Sequence, residues 1–426
     1  MKSSADHMPS RSPPRASLAI DNLRAVVILL VIAFHAVLAY LNFLPATPFA
    51  FDSPPFLWRS IPIVDTARWF GFDLFCAWLD VFLMSFFFLL SGLFVWPSLE
   101  RKGARTFLAD RLLRIGLPFL LIALILMPLA HYPTYLQTAT EPGIEAFWRH
   151  WLALPFWAAG PMWFLWLLLA WDIAAAGLYS LIQGHGKLVL RLSSYARANP
   201  GRFLTGFLLA SVVAYVPLAL IFGGSAWFHR GPFSFQLSRP LHYALYFFAG
   251  ALIGACGIER GVLAPDGPLA RRWVWWLAAT AGSFLLWLMV MSQVVADPAA
   301  PLAWQTAAAL TFVFACFASC LFTLGAAVRF AQLRSRALDS LKSNAYGMYL
   351  IHYLFIVWLQ FAMLGPSLPA VAKAAIVFAG TLALSWGITA ALRHIPGVAQ
   401  IIGESRRAPV PARRPVRAHE IPSLSD

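Results

Sequence analysis

Ten stretches of about twenty mostly apolar residues limit what this chain can become. They fall near 19–41, 73–96, 112–131, 161–182, 203–222, 240–257, 273–295, 304–327, 345–364 and 371–391. A helix of that length crosses a hydrocarbon core about 30 Å thick while satisfying its own backbone hydrogen bonds, which no irregular segment does in lipid. The expected fold is therefore all-α, a polytopic membrane protein of about ten transmembrane helices. Composition closes the alternative of a soluble globule. Of the 426 residues 60% are hydrophobic and only 12% charged, too little polar surface for a folded chain of this size in water.

The formal net charge of +14 would point a soluble protein towards nucleic acid. Here its distribution matters more than its sum, and no nucleic-acid partner is expected. With the N-terminus inside, 26 of the 32 basic residues fall on inner segments, leaving Arg59, Arg68, Arg149, Arg230, Arg239 and Lys373 outside or near the outer ends. Such a bias sets both termini in the cytoplasm. Residues 1–17 and the Arg- and Pro-rich 393–426 read as disordered cytoplasmic tails around a transmembrane domain of 18–392. The first apolar run is too long for a cleaved signal and is expected to stay as an anchor. Outer segments at 42–72 and 132–160, rich in Pro, Trp and Phe, suit interfacial anchors or a lid over a cavity. Cys76, Cys256, Cys316 and Cys320 sit in apolar runs without metal or redox spacing. They read as small packing residues, and no metal is expected.

Ionisable residues inside the spans are few, expensive and therefore informative. Arg24 and His35 are eleven residues apart, close to three helical turns, which puts both side chains on nearly one face and separates them by roughly 16 Å along the axis. His35 then lies near mid-membrane, either hydrogen-bonded to a neighbouring helix or serving chemistry. His352 follows Lys342 by ten residues and reaches a similar depth, so the two histidines point to a shared cavity. Asp73 and Asp80 occupy the second span, and Asp80 reads as the ion-pair partner of Arg59 or Arg68 at the outer rim. Asp172, near the middle of the fourth span, needs a partner. Arg111 and Arg114, three apart with Arg105 just upstream, share a helix face at the inner end. They either hold phosphate in bidentate fashion or anchor the topology.

The segments IDNLRAVVILLVIAFH, FFFLLSG, RLLRIGLPF, GPMWFL and NAYGMYLIH occur in this order along the chain. Together they make it resemble the membrane acyltransferase 3 family, which includes O-antigen acetyltransferases and the protein that succinylates periplasmic glucans. The resemblance runs from 18 to about 392. Its most specific element is the Arg-x10-His of Arg24 and His35, backed by the Arg-x-x-Arg of Arg111 and Arg114. It implies transfer of an acyl group from cytoplasmic acyl-CoA, acetyl-CoA or succinyl-CoA, to a hydroxyl of an extracytoplasmic glycan or glycolipid. The carrier of that activity would be a multi-pass protein of the bacterial inner membrane, alone or as a homo-oligomer. On this reading His35 and His352 are catalytic, and His35 as a neutral imidazole takes the hydroxyl proton. Arg24, Arg111 and Arg114 bind the donor, while Ser91, Trp163, Tyr346, Tyr349 and Asp172 bind substrate. Trp163 and the outer aromatic segments suit sugar stacking, as they suit an interfacial belt. The sequence departs from the family at Asn22, where many members have glycine, and lacks the hydrolase-like C-terminal domain of some members. Two mid-membrane histidines and two aspartates also describe a proton-coupled transporter of small solutes, and a non-catalytic component of a polysaccharide export system is a third reading. Arginines stacked beneath a buried histidine favour the transferase, since a proton-coupled carrier has no use for them.

Overall fold

The computed structural model describes residues 15–182, 187–255, 257–297 and 299–402; Cys256 and most of the two expected tails lie outside the described residues. Helix α1 (Arg15–Val37) crosses first and tightens into a 3-10 turn at Leu38–Tyr40. A long loop leads to α2 (Phe70–Gly92), followed by α3 (Val95–Arg111), which breaks at Gly103. There the backbone takes φ 73°, a conformation that glycine alone adopts cheaply. Beyond Arg111 the chain continues as one rod through a π turn (Leu112–Gly116), α4 (Leu117–Leu121), a second π turn (Ile122–Leu126) and α5 (Met127–Leu136). A short amphipathic α6 (Ile144–Ala153) precedes α7 (Trp163–Leu181), α8 (Lys187–Ala198) and α9 (Pro200–Phe222). Strands β1 (Trp227–Arg230) and β2 (Phe233–Gln236) form an antiparallel hairpin with Trp227 opposite Gln236. Then come α10 (Pro240–Ala255), α11 (Pro268–Arg271), α12 (Trp273–Ala296), α13 (Leu302–Phe330), α14 (Arg336–Ala362), α15 (Ala370–Leu392) and α16 (Pro396–Ile401).

Among the described residues nine helices are long and apolar enough to cross a membrane, and the tenth expected crossing forms the shorter α10. The protein is thus an all-α polytopic membrane protein. The sixteen residues of α10 rise about 24 Å, less than the hydrocarbon thickness, and Arg239, the residue just before it, turns into the bundle. The Arg239 guanidinium, 5% exposed, donates to both carboxylate oxygens of Asp80 at 3.1 and 2.6 Å and to the Asp80 carbonyl at 3.0 Å. This corrects the expected pairing of Asp80 with Arg59 or Arg68. Arg68 instead donates to the carbonyls of Leu44 and Pro45, and Arg59 lies over the Phe156 ring at 4.2 Å.

Helix α1 lies at the centre, packed on α2, α13, α14 and α15. Its first amides donate to Glu259, at 3.2 Å from Ala16 and 2.7 Å from Ser17, which gives the exposed donors of a helix start an anionic acceptor. Asn22 donates to the carbonyls of Ala331 and Leu333 at 2.8 and 2.9 Å, so the asparagine that departs from the family pattern ties α1 to the α13–α14 turn. At the other end the side-chain amide of Gln360 donates to His35 O and Ala36 O at 2.9 and 3.2 Å. Ordered helix begins at Arg15 and resumes as α16, so regular structure reaches a few residues into both expected tails.

Helices α2 and α10 touch backbone to backbone. A Cβ at Gly254 would stand 2.0 Å from Leu93 O, and one at Gly250 2.2 Å from Leu89 O. Small residues of this kind are what membrane helices use to approach closely. Gly254→Leu is therefore expected to push α10 off α2 and to eliminate folded protein, seen as loss of the monodisperse peak in detergent size-exclusion chromatography.

Candidate active site

Residues 24, 111 and 114 gather at one end of the bundle, here called the basic end, while the 41–69 and 137–162 segments and the hairpin gather at the opposite, aromatic end. His35 lies between them. Its Nδ1 is 2.9 Å from Val31 O, four residues back on its own helix. A carbonyl only accepts, so in the neutral ring Nδ1 carries the hydrogen and Nε2 keeps its lone pair. His352 repeats the device, with Nδ1 2.6 Å from Tyr349 O and Nε2 buried without a partner among the described residues. The two rings are 5.2 Å apart at their centroids, inclined at 62°. Equal depth along α1 and α14 thus becomes direct contact. The His35 ring is partly buried, in contact with the rings of Phe34, His352 and Tyr353.

A third histidine, invisible to the spacing argument, joins this pair through a tyrosine. The Tyr353 ring is 5.7 Å from His35 and 5.6 Å from His131. His131, fully buried with both ring nitrogens unpartnered among the described residues, is roofed by Trp58 and Trp151 at 5.0 and 5.8 Å. It sits on α5 near the end of its span, where sequence alone offers no separation between an interfacial histidine and one directed at a site. The aromatic loops form its cover, and Trp58 is pinned there by its Nε1 donating to Phe51 O at 3.0 Å.

Beneath the histidines, at the basic end, is a cavity of about 260 Å³ lined by Phe94, Phe107, Arg101, Lys102, Arg111 and Arg114, among others. Arg24 stacks over the Phe94 ring at 5.3 Å and lies near enough to Arg111 for their charges to act on each other. Arg111 stacks on Phe107 at 4.9 Å and has a second partner. Its Nε is 3.3 Å from the carboxylate of Asp172, which is completely buried. Asp172 therefore balances Arg111 from α7. Arg114 sits inside the first π turn, a local widening that often marks functional segments. Its carbonyl accepts from the Tyr346 hydroxyl of α14. The Tyr349 hydroxyl likewise donates to Pro161 O at 2.9 Å, and its ring stacks on His352 at 5.7 Å. Both tyrosines, expected to meet substrate, spend their protons on backbone carbonyls and so hold α14 against the arginine-bearing rod and α7. Ser91 lies in the last turn of α2, three residues before Phe94. Arg101 and Lys102 are additions to the arginine set, since in sequence they were part of the general inner charge; Lys102 is paired with Asp110.

Trp163 sits at the aromatic end, stacked on Tyr243 at 6.0 Å and edge-on to Trp227 at 5.6 Å. Trp227 stacks in turn on His229 at 6.0 Å and 10°. Burial and the nearby Arg59 charge pull His229 down to about 4, so its ring is uncharged at neutral pH. The hairpin that supplies both rings was not legible as strand, although Gly231 and Pro232 between alternating aromatics carry the signal.

Two contacting imidazoles, each held through Nδ1 by a backbone carbonyl of its own helix, together with an arginine-lined cavity at the basic end, define a polytopic membrane protein with ionisable groups placed inside its helical bundle. Among the described residues no group of His, Cys, Asp and Glu is placed to hold a metal ion. Comparison with known families then makes the assignment. The chain belongs to the acyltransferase 3 family, whose acyltransferase domain matches residues 17–390. No curated protein and no solved structure matches it.

Proposed function

We propose that the protein is an O-acyltransferase of the bacterial inner membrane, moving an acetyl or succinyl group from cytoplasmic acyl-CoA to a hydroxyl of an extracytoplasmic glycan or glycolipid. The observation that carries this reading is the backbone-fixed tautomer of His35 above the arginine-lined cavity. Acyl-CoA pairs a polyanionic head with a long neutral arm ending in a thioester. Arg24, Arg114 and Arg101 suit the head, and the arm reaches up the interior towards His35 without carrying charge into hydrocarbon. The acceptor approaches from the aromatic end. Its O–H gives the proton to His35 Nε2 as the oxygen attacks the thioester carbonyl. The tetrahedral intermediate collapses, the C–S bond breaks, and the leaving thiolate takes the proton from His35, so atoms and charge balance without a further reactant. The protonated His35 ring keeps its Nδ1 hydrogen on Val31 O while Nε2 holds the proton to be delivered, and the neutral His352 ring lies beside it at 5.2 Å between centroids. Coenzyme A release by purified protein supplied with acetyl-CoA and, separately, succinyl-CoA tests the donor. Mass spectrometry of cell-surface glycans from a deletion strain, seeking loss of acetyl or succinyl groups, tests the acceptor.

The pairing of Arg111 with Asp172 sharpens the donor test. Arg111→Lys alters an internal ion pair as well as a phosphate fork, so Arg114→Lys isolates the fork. Arg114→Lys is expected to weaken acetyl-CoA binding by calorimetry about ten- to a hundredfold, the value of one charge-assisted contact, with no change in insertion. Unchanged affinity would reduce Arg114 to a topology anchor. The proposed orientation, both termini in the cytoplasm, makes a separate prediction. Cysteines placed at 100–108 and in α8 are expected to react with membrane-impermeant maleimide only in inverted vesicles, and those in the β-hairpin only in intact spheroplasts.

A further inference from the structure

A groove of about 570 Å³ lies outside the candidate active site, where α9, α12 and α13 diverge near the basic end. Its walls are apolar, built from residues such as Leu204, Leu208, Trp276 and Phe317, and Arg272 stands at one mouth. The one serine in the lining, Ser283, is turned onto its own helix and donates to Ala279 O at 2.6 Å. The Arg272 guanidinium makes no ion pair or side-chain hydrogen bond among the described residues, and it is exposed. Arg271 and Arg202, both exposed, neighbour the groove in sequence. From Arg272 to Ser283 are eleven residues of helix, a rise of about 16 Å, which matches one leaflet of a hydrocarbon core about 30 Å thick. Helices α9 and α12 are the least enclosed of the long helices, 17% and 11% buried, so the groove opens sideways to lipid.

We propose that this groove is a binding site for one anionic phospholipid of the leaflet at the basic end, its phosphate on Arg272 and an acyl chain lying along Trp276, Leu204 and Phe317. Charge and depth select the occupant together. An arginine fork, with exposed Arg271 next to it in the chain and Arg202 next to the groove residue Gly201, favours a headgroup with net negative charge over a zwitterionic one. A wall one leaflet deep, apolar but for Thr205 and a serine already bonded to its own helix, takes a fatty chain, which a soluble phosphate lacks. The site is separate from the arginine cavity below His35 and does not depend on the identity of the acyl donor.

The test is native mass spectrometry of the full-length protein released from nanodiscs of phosphatidylcholine mixed with phosphatidylglycerol. One retained phosphatidylglycerol per chain is expected. Arg272→Gln should lower its retention about ten- to a hundredfold relative to phosphatidylcholine, and Ala279→Phe, which fills the groove from the exposed face of α12, should abolish it. Inorganic phosphate at millimolar concentration should not displace it, which separates a lipid from a free anion. Equal retention of the two lipids, undiminished phosphatidylglycerol in both variants, displacement by phosphate, or a chain dimer closing this face would each overturn the proposal.

Discussion

His35→Ala is expected to insert and accumulate like the parent protein while coenzyme A release falls by about 10² to 10⁴, the usual loss on removing a general base. The reason lies in how little else depends on this ring. Its one hydrogen bond goes to Val31 O within α1, and α1 is fastened to its neighbours by Asn22, Gln360 and Glu259, none of which touches the imidazole. Truncation therefore removes Nε2 without loosening the bundle. His352→Ala is expected to cost less, because the attacking proton does not pass to it first. Near-parental turnover by His35→Ala, measured on equal amounts of purified protein, would remove the base from the mechanism and with it the proposed role of the pair.

The second large effect concerns stability and lies at the aromatic end. Lys373 Nζ donates to Asp65 Oδ2 at 2.7 Å, with only 4% and 1% of the two side chains exposed. This pair joins α15 to the loop after α1, and Asp65 Oδ1 also accepts from Ala67 N at 2.8 Å. Lys373→Met leaves a carboxylate buried without its cation and is expected to destabilise the protein by about 3–5 kcal/mol. Replacing both, Asp65→Leu with Lys373→Met, should restore most of that loss, since an apolar pair of similar size avoids the desolvation of either charge. Unfolding in mixed micelles reads both values. A double variant as unstable as the single one would show that the loop depends on the Asp65 bond to Ala67 and not on the ion pair.

What was legible in the sequence is what a single helix encodes. Period and length place the crossings, and the eleven-residue step from Arg24 to His35 survives folding because both residues stay on one unbroken α1. The contact between His35 and His352 follows from equal depth on two helices that happen to be neighbours. Partners across helices were not legible. Asp80 on α2 pairs with Arg239 just before α10, 159 residues further on, and no spacing rule reaches a partner at that separation. Arg111 at the end of α3 turns to Asp172 on α7, a partner on another helix that periodicity along one helix does not identify. His131 escaped for a different reason: it reaches the histidine pair only through Tyr353, and a route made of ring contacts leaves no pattern in a linear chain.

The bond from each histidine to its own helix has a consequence for timing. In hydrolases built on a triad, a carboxylate behind the imidazole holds the tautomer and also shelters the positive ring between two proton transfers. Here the helix backbone does the first task, and among the described residues no carboxylate touches His35 or His352 to do the second. On the proposed mechanism a cationic ring is thus short-lived, and the tetrahedral intermediate it accompanies must collapse soon after the acceptor proton is captured. If His35 is the base proposed above, water arriving without a thioester in place would find a ring with nowhere to keep a proton, and the arrangement that serves the transfer would also guard the resting protein against idle proton traffic across the bilayer.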